Sequence, residues 1–252
     1  MSSASPTGVA AGTSQLLELR GVHTHIGAYH ILHGVDLQVP RGQVTMLLGR
    51  NGAGKTTTLR TIMGLWQASQ GSLHFEGHDI TRLHTPQIAA MNIAYVPETM
   101  GIFADLTVQE NMLLAARSAK RASQMDAARL QWIFGLFPAV ETFWHHPAGK
   151  LSGGQKQMLA VARAIVEPRD LLIVDEPSKG LAPSIVNNMI DAFAQLKESG
   201  VSILLVEQNI RFAQRLGDTV AVMDNGRVVH AGAMQVLADD TALQRNLLGL
   251  AL

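Results

Sequence analysis

Residues 49–57 read GRNGAGKTT, a full match to the pattern G-x-x-x-x-G-K-[ST]. An apolar, β-capable run, Gln43 to Leu48, precedes it, and a segment with helical apolar spacing, Thr56 to Leu65, follows. That order of strand, glycine loop and helix sets the partial positive charge of a helix start behind backbone N–H groups that curl around an anion. Gly49, Gly52 and Gly54 permit the curl, Lys55 can reach the outer phosphates of a nucleotide, and the Thr56 hydroxyl is suited to Mg²⁺. A chain that uses such a loop must carry it at the end of a buried strand, so an α/β core is the first expectation.

Two further constellations join it. Leu171 to Glu176 reads LLIVDE, an apolar strand ending in two carboxylates. Asp175 is suited to hold Mg²⁺ opposite Thr56, and Glu176, one step further on, can take a proton from an attacking water. Between the two lies LSGGQ, residues 151–155, ahead of a helical pattern from Lys156 to Val166. Ser152 and Gln155 have the spacing of a capping box, and the adjacent Gly153 and Gly154 leave bare N–H groups at a helix start. Two anion-binding helix starts about a hundred residues apart suggest a nucleotide clamped between two molecules.

The remaining chain reads as alternating strands and helices. Strands are expected at Leu16 to Leu19, Val35 to Val39, Ser72 to Phe75, Asn92 to Val96, Leu171 to Val174, Val201 to Val206, Thr219 to Met223 and Arg227 to Ala231. Helices are expected at Pro183 to Leu196 and Ile210 to Leu216, with a predominantly helical stretch from Thr107 to about Ala139. The solidly apolar strands imply a mostly parallel sheet buried on both faces, with a helical subdomain inserted at about 100–165. Residues 1–15 are small and polar, lack the features of a secretory signal, and read as a disordered tail. With 20 basic and 20 acidic residues, the chain has no electrostatic footprint for nucleic acid. It has no cysteine and no apolar run long enough to cross a bilayer. His145 and His146 read as surface residues, and Trp66, Trp132 and Trp144 as packing residues.

GRNGAGKTT, LSGGQ ahead of LLIVDEP, and the spacing between them resemble the ATP-binding subunits of ABC transporters, from about Leu16 to Leu250. YVPE at Tyr95 to Glu98, LTVQEN at Leu106 to Asn111 and VEQN at Val206 to Asn209 resemble more narrowly the LivF-like subunits of branched-chain amino acid importers. The fold implied is a P-loop NTPase core with a mostly parallel sheet, N-terminal antiparallel strands and an inserted helical subdomain, the domain running over 16–252. The activity implied is ATP hydrolysis coupled to import of branched-chain amino acids or related small polar solutes, with ATP and Mg²⁺ as cofactors.

By matching positions, the resemblance implies that Gly49, Asn51, Gly52, Gly54, Lys55, Thr56 and Thr57 bind ATP and that Tyr29 stacks on adenine. Ser152, Gly153, Gly154 and Gln155 would reach the ATP of an opposing subunit. Thr56, Asp175 and Glu98 would serve the metal, and Glu176, Gln208 and Lys55 the chemistry. Glu98 stands where the wider family has glutamine, and Gln208 where it has histidine, exchanges shared with LivF-like subunits. In SKGLAP, residues 178–183, Lys179 and Ala182 depart from the family pattern in a loop expected to contact the second subunit.

The partners implied are a second ATP-binding subunit, as heterodimer or homodimer, and transmembrane permease subunits. A periplasmic or extracellular solute-binding protein is implied indirectly, no nucleic acid is, and the location implied is the cytoplasmic face of the membrane. Met100 to Phe103 offers an apolar segment for a permease helix, against the plainer reading that Phe103 packs in the core. The rival, an ABC-type ATPase acting on ribosomes or DNA, calls for two such domains or a long coiled coil, and neither pattern is present. No N-K-x-D motif supports a GTPase.

Overall fold

A computed structural model describes residues 14–249. The expected tail at 1–15 lies outside them up to residue 13, and a strand already begins at Gln15. In chain order the elements are β1 (Gln15–Ile26), β2 (Tyr29–Pro40), β3 (Val44–Gly49), α1 (Lys55–Ile62), β4 (Ala68–Phe75), β5 (His78–Asp79), α2 (Thr85–Ala90) and β6 (Ile93–Val96). There follow α3 (Val108–Ala115), α4 (Ala127–Leu136), α5 (Pro138–Thr142) and α6 (Gly153–Ala164), then β7 (Leu171–Asp175), α7 (Pro183–Glu198) and β8 (Ser202–Glu207). The chain closes with α8 (Ile210–Leu216), β9 (Thr219–Asp224), β10 (Arg227–Ala233), α9 (Met234–Asp239) and α10 (Thr241–Leu248).

Two sheets organise these elements. The larger runs β10-β9-β3-β8-β7-β6, parallel throughout except for the antiparallel edge strand β10. The smaller, β2-β1-β4-β5, is antiparallel. Every residue of β3, β7 and β8 is buried, as a parallel sheet covered on both faces requires. Side chains alternate across a strand, so one apolar run serves two cores. Val44, Met46, Leu48, Leu172, Val174, Ile203 and Leu205 enter one cluster, together with α7, α8 and the helices between β6 and β7. Leu47, Leu171, Ile173, Leu204 and Val206 enter the other, with α1 and the antiparallel sheet.

The helical stretch expected from 107 to 139 is broken into α3, a short 3₁₀ turn at Ala122–Gln124, α4 and α5. Local capping sets two of these starts: Thr107 Oγ1 accepts from the Glu110 N–H, and the Asp126 carboxylate accepts from the Arg129 N–H. Pro138 opens α5. β1 and β2 both extend well beyond the short strands expected, because pairing with each other and with β4 carries them past their apolar cores. Their outer halves hold a stack of imidazoles, with His25 and His30 rings 4.2 Å apart and His30 and His33 rings 4.0 Å apart. His145 and His146 are exposed, as expected. Trp144 packs edge-on against Phe134, and Trp132 lies under the Arg129 guanidinium.

If β7 divides two cores, truncation on either face costs the same order of energy. Leu172→Ala and Ile173→Ala should each lower unfolding free energy by about 2–5 kcal/mol, read from chemical denaturation. A near-neutral result for one of the pair would mean that one face of the sheet is not packed.

Candidate functional site

The register of the large sheet brings the carboxyl ends of three neighbouring strands level. Leu48 of β3 pairs with Glu207 of β8, and Val206 pairs with Asp175 of β7. The phosphate loop, the acidic pair and the Val206 to Asn209 turn therefore emerge side by side, which is where open α/β sheets build their sites.

The loop between β3 and α1 depends on glycine at three points, one of them Gly52 at φ +82. Gly49 has φ +149, and a Cβ there would meet the Met223 carbonyl oxygen at 2.4 Å. Gly54, at φ +104, caps α1 in the left-handed region and lies against Leu32, whose Cδ2 would stand 3.0 Å from an added Cβ. Leu32 belongs to the start of β2, three residues after Tyr29, so the loop side of β2 flanks the phosphate loop. Tyr29 itself, at the hairpin tip, is 75% exposed, a large aromatic face with little packed on it.

Lys55 is buried, and its ammonium donates to the Gly49 carbonyl at 2.9 Å and the Arg50 carbonyl at 3.1 Å. It stands 3.7 Å from Glu176 Oε1. Burial pushes the Lys55 pKa down, against the opposing pull of Glu176 and Asp175. Asp175 is 1% exposed and neither carboxylate oxygen has a hydrogen-bond partner. Burial raises its pKa, the nearby Thr56 hydroxyl works the other way, and the charges of Glu176 and Glu98 raise it further. Two orphaned, buried carboxylate oxygens beside a hydroxyl form a donor set suited to a hard cation.

Glu176 follows with φ +50, a left-handed backbone that a non-glycine residue adopts only when its surroundings compel it. Its N–H donates to the Val206 carbonyl at 2.9 Å. The Gln208 amide joins it to the phosphate loop: Nε2 donates to Glu176 Oε1 at 2.5 Å and to Asn51 Oδ1 at 2.8 Å. Glu98, at the mouth of the site, accepts from Lys179 Nζ at 2.6 Å.

Glu207 was not among the residues expected. It is buried and accepts from the Ser178 N–H and hydroxyl, both at 2.9 Å, and from the Gln208 N–H at 3.1 Å. The Asn209 N–H donates to it as well, at 3.3 Å, and burial still raises its pKa over these four hydrogen bonds. The carboxylate thus pins the turn after Glu176 to the turn that carries Gln208. Asn209 caps α8, its Oδ1 accepting from the Arg211 and Phe212 N–H groups. A carboxylate ending an apolar strand beside another such strand was the available signal.

The capping box at Ser152 forms as expected, with Gln155 Oε1 accepting from the Ser152 N–H at 2.9 Å and Ser152 Oγ from the Gln155 N–H at 3.3 Å. The two glycines divide their work. Gly153 opens on free space, whereas a Cβ on Gly154 would meet Ile185 Cγ2 at 2.7 Å, so Gly154 serves the close approach of α6 to α7. Among the described residues no hydrogen bond or ion pair joins Ser152, Gly153, Gly154 or Gln155 to the phosphate loop.

A groove of about 390 Å³ is lined by Gly49, Arg50, Asn51, Glu207, Gln208 and Leu248. A larger cavity of about 710 Å³ opens beyond α1, lined by residues including Arg60, Leu65, Trp66, Ala89, Tyr95 and Arg117. Trp66 Nε1 and the Tyr95 hydroxyl are buried there without partners. Burial and then Asp175 push the Tyr95 phenol up to about 12. Phe103 is 50% exposed beneath the Arg163 guanidinium, so it does not pack in the core, although Met100 and Ile102 do in part.

The profile of the ABC transporter family matches residues 32–179. The chain is 39% identical to the high-affinity branched-chain amino acid transport ATP-binding protein BraG of Pseudomonas aeruginosa, covering 85% of this chain and 91% of that protein. It is 34% identical to the probable branched-chain amino acid transport ATP-binding protein LivF of Archaeoglobus fulgidus, over 88% of this chain and 93% of that protein. The crystal structure of the ADP conformation of an ATP-binding cassette of an ABC transporter shares the fold with a TM-score of 0.80 at 24% identity, covering 94% of this chain and 100% of that one. With its phosphate loop, paired strand-end acids and glycine-capped helix in one α/β frame, the chain belongs to the ABC transporter family, as an ATP-binding subunit.

Proposed function

We propose that this chain is the ATP-hydrolysing subunit of an importer for branched-chain amino acids or related small polar solutes, working as a pair of ATP-binding subunits beneath transmembrane permease subunits. The solute is inferred from the names of the relatives over most of the chain's length. Action on ribosomes or DNA is not favoured by those relatives. The reading places the chain peripherally, on the cytoplasmic face, from the relatives being ATP-binding subunits of transport proteins; no helix among the described residues is long and apolar enough to cross a membrane. The observation that carries it is the convergence of Lys55, Asp175, Glu176 and Gln208 at the ends of adjacent strands, with Ser152 and Gly153 exposed at a helix start and joined to none of them by a hydrogen bond among the described residues.

In this reading the N–H groups of Gly49 to Thr57, with Asn51, cradle the phosphates of ATP, and Tyr29 stacks on the base. Thr56 and Asp175 hold Mg²⁺, with Glu98 at the mouth. Mg²⁺, when bound, neutralises charge on the outer phosphate oxygens. Lys55 turns from the loop carbonyls to the β- and γ-phosphates. Glu176 Oε1 accepts a proton from the attacking water as its oxygen bonds to the γ-phosphorus and the bond to the bridging oxygen of ADP breaks. Gln208 holds that carboxylate and can donate to the γ-phosphate, but it cannot carry a proton as histidine can. Ser152, Gly153, Gly154 and Gln155 of the opposing subunit close over the phosphate, so a dilute, unpaired protomer hydrolyses ATP slowly. The cavity beside Trp66 and Tyr95, and the exposed Phe103, are surfaces for the permease.

Glu176→Gln in the assembled transporter should keep nucleotide affinity within a few-fold and lower turnover by about 10²-fold or more, measured by phosphate release and nucleotide binding. Unchanged turnover removes Glu176 from the base role. Asp175→Asn should separate stability from function. An aspartate with a raised folded pKa stabilises the fold below its ordinary value of 3.8 and loses that contribution as pH rises through the folded pKa. The asparagine variant without nucleotide should therefore gain roughly 2–4 °C in Tm near neutral pH, the shift that about 1 kcal/mol gives a chain of this size. The gain should shrink toward acid, and Mg²⁺-dependent ATP binding should be lost. A lower Tm at neutral pH would refute the charge-burial account.

A further inference from the structure

Glu98 and Lys179, 81 residues apart in the sequence, meet in the fold. Lys179 Nζ lies 2.6 Å from Glu98 Oε1 and 3.4 Å from Glu176 Oε2. The other oxygen of Glu176 is held by Gln208 at 2.5 Å and faces Lys55 at 3.7 Å. The catalytic carboxylate is therefore tied at both ends, Oε1 toward the phosphate loop and Oε2 toward Lys179.

Lys179 is 56% exposed, and an isolated surface ion pair contributes little. This one differs because its backbone is anchored. Lys179 N donates to the Glu176 carbonyl at 3.2 Å, and the preceding Ser178 is bound through N–H and hydroxyl to buried Glu207. The lysine is delivered to the site by a fixed turn. The charges also require it. Three carboxylates, Glu98, Asp175 and Glu176, crowd one end of the site, and Lys55 is the other ammonium among them. Phosphates entering there meet an added negative charge at Glu98 unless something offsets it.

We infer that Lys179 is a positioning residue of the ATPase site: its ammonium bridges Glu98 and Glu176, offsets the added carboxylate, and fixes the orientation in which Glu176 presents Oε1 to the phosphate loop. This rests on the reading of Glu176 as general base. The two charges offset each other, Lys179 answering Glu98 within the same protomer.

The test is steady-state ATPase kinetics of the assembled transporter carrying Lys179→Met, Lys179→Arg, Glu98→Gln and the double variant Glu98→Gln/Lys179→Met. Lys179→Met should lower kcat about 5- to 30-fold with KM within about twofold. Lys179→Arg should recover kcat to within about threefold of the parent. The double variant should exceed Lys179→Met by about threefold or more, because the carboxylate that needed an offset is gone. An unchanged or raised kcat in Lys179→Met, failure of arginine to rescue, or simple additivity in the double variant overturns the inference. Retained melting temperature and nucleotide affinity in Lys179→Met distinguish positioning from unfolding, and a loss of either overturns it as well. Should the base reading itself fail, Glu176→Gln keeps full turnover; should only the present inference fail, Glu176→Gln remains inactive.

Discussion

The level register of β3, β7 and β8 is the constraint on which the site depends. In a parallel ladder all strands present their carboxyl ends on one edge, and Gly49, Asp175 and Glu207 end their strands within a row of one another. A slip of one residue in any of the three would turn its apolar set to the opposite core and move its end residue out of line. Because all three strands are buried on both faces, packing enforces that register strongly. The chemistry inherits its geometry from the hydrophobic core.

Around that edge the polar groups fall into two kinds. Glu207 is satisfied from several sides and works as a clamp between turns. Asp175, nearly sealed from solvent, has no well-formed hydrogen bond to either carboxylate oxygen, with the Thr56 hydroxyl nearby. A fold optimised for stability alone would not keep a buried carboxylate in that state. The contrast separates a carboxylate whose hydrogen bonds are met inside the protein from one whose oxygens are not.

Much of this was legible in the sequence, for physical reasons that differ by element. β3, β7 and β8 were found because a strand buried on both faces is written as an unbroken apolar run. The start of α6 was found because its capping box is local. The outer halves of β1 and β2 were not, since the histidines and Thr24 there are strand by virtue of pairing, not pattern. α2, β5, α9 and α10 are short and were missed likewise. Glu207 escaped notice because its role depends on Ser178, 29 residues away in sequence. The different duties of Gly153 and Gly154 depend on Ile185, which no local reading supplies.

The left-handed backbone at Glu176 has a further consequence. Such a conformation costs a side chain about 1–3 kcal/mol, and glycine, asparagine and aspartate bear it most easily. For the base role proposed for Glu176, glycine has no carboxylate, asparagine no basic oxygen, and aspartate falls one methylene short. The position is caught between ease of backbone and length of arm, so few amino acids can stand there at all, and glutamate is retained although it is not the residue the chain's conformation would choose.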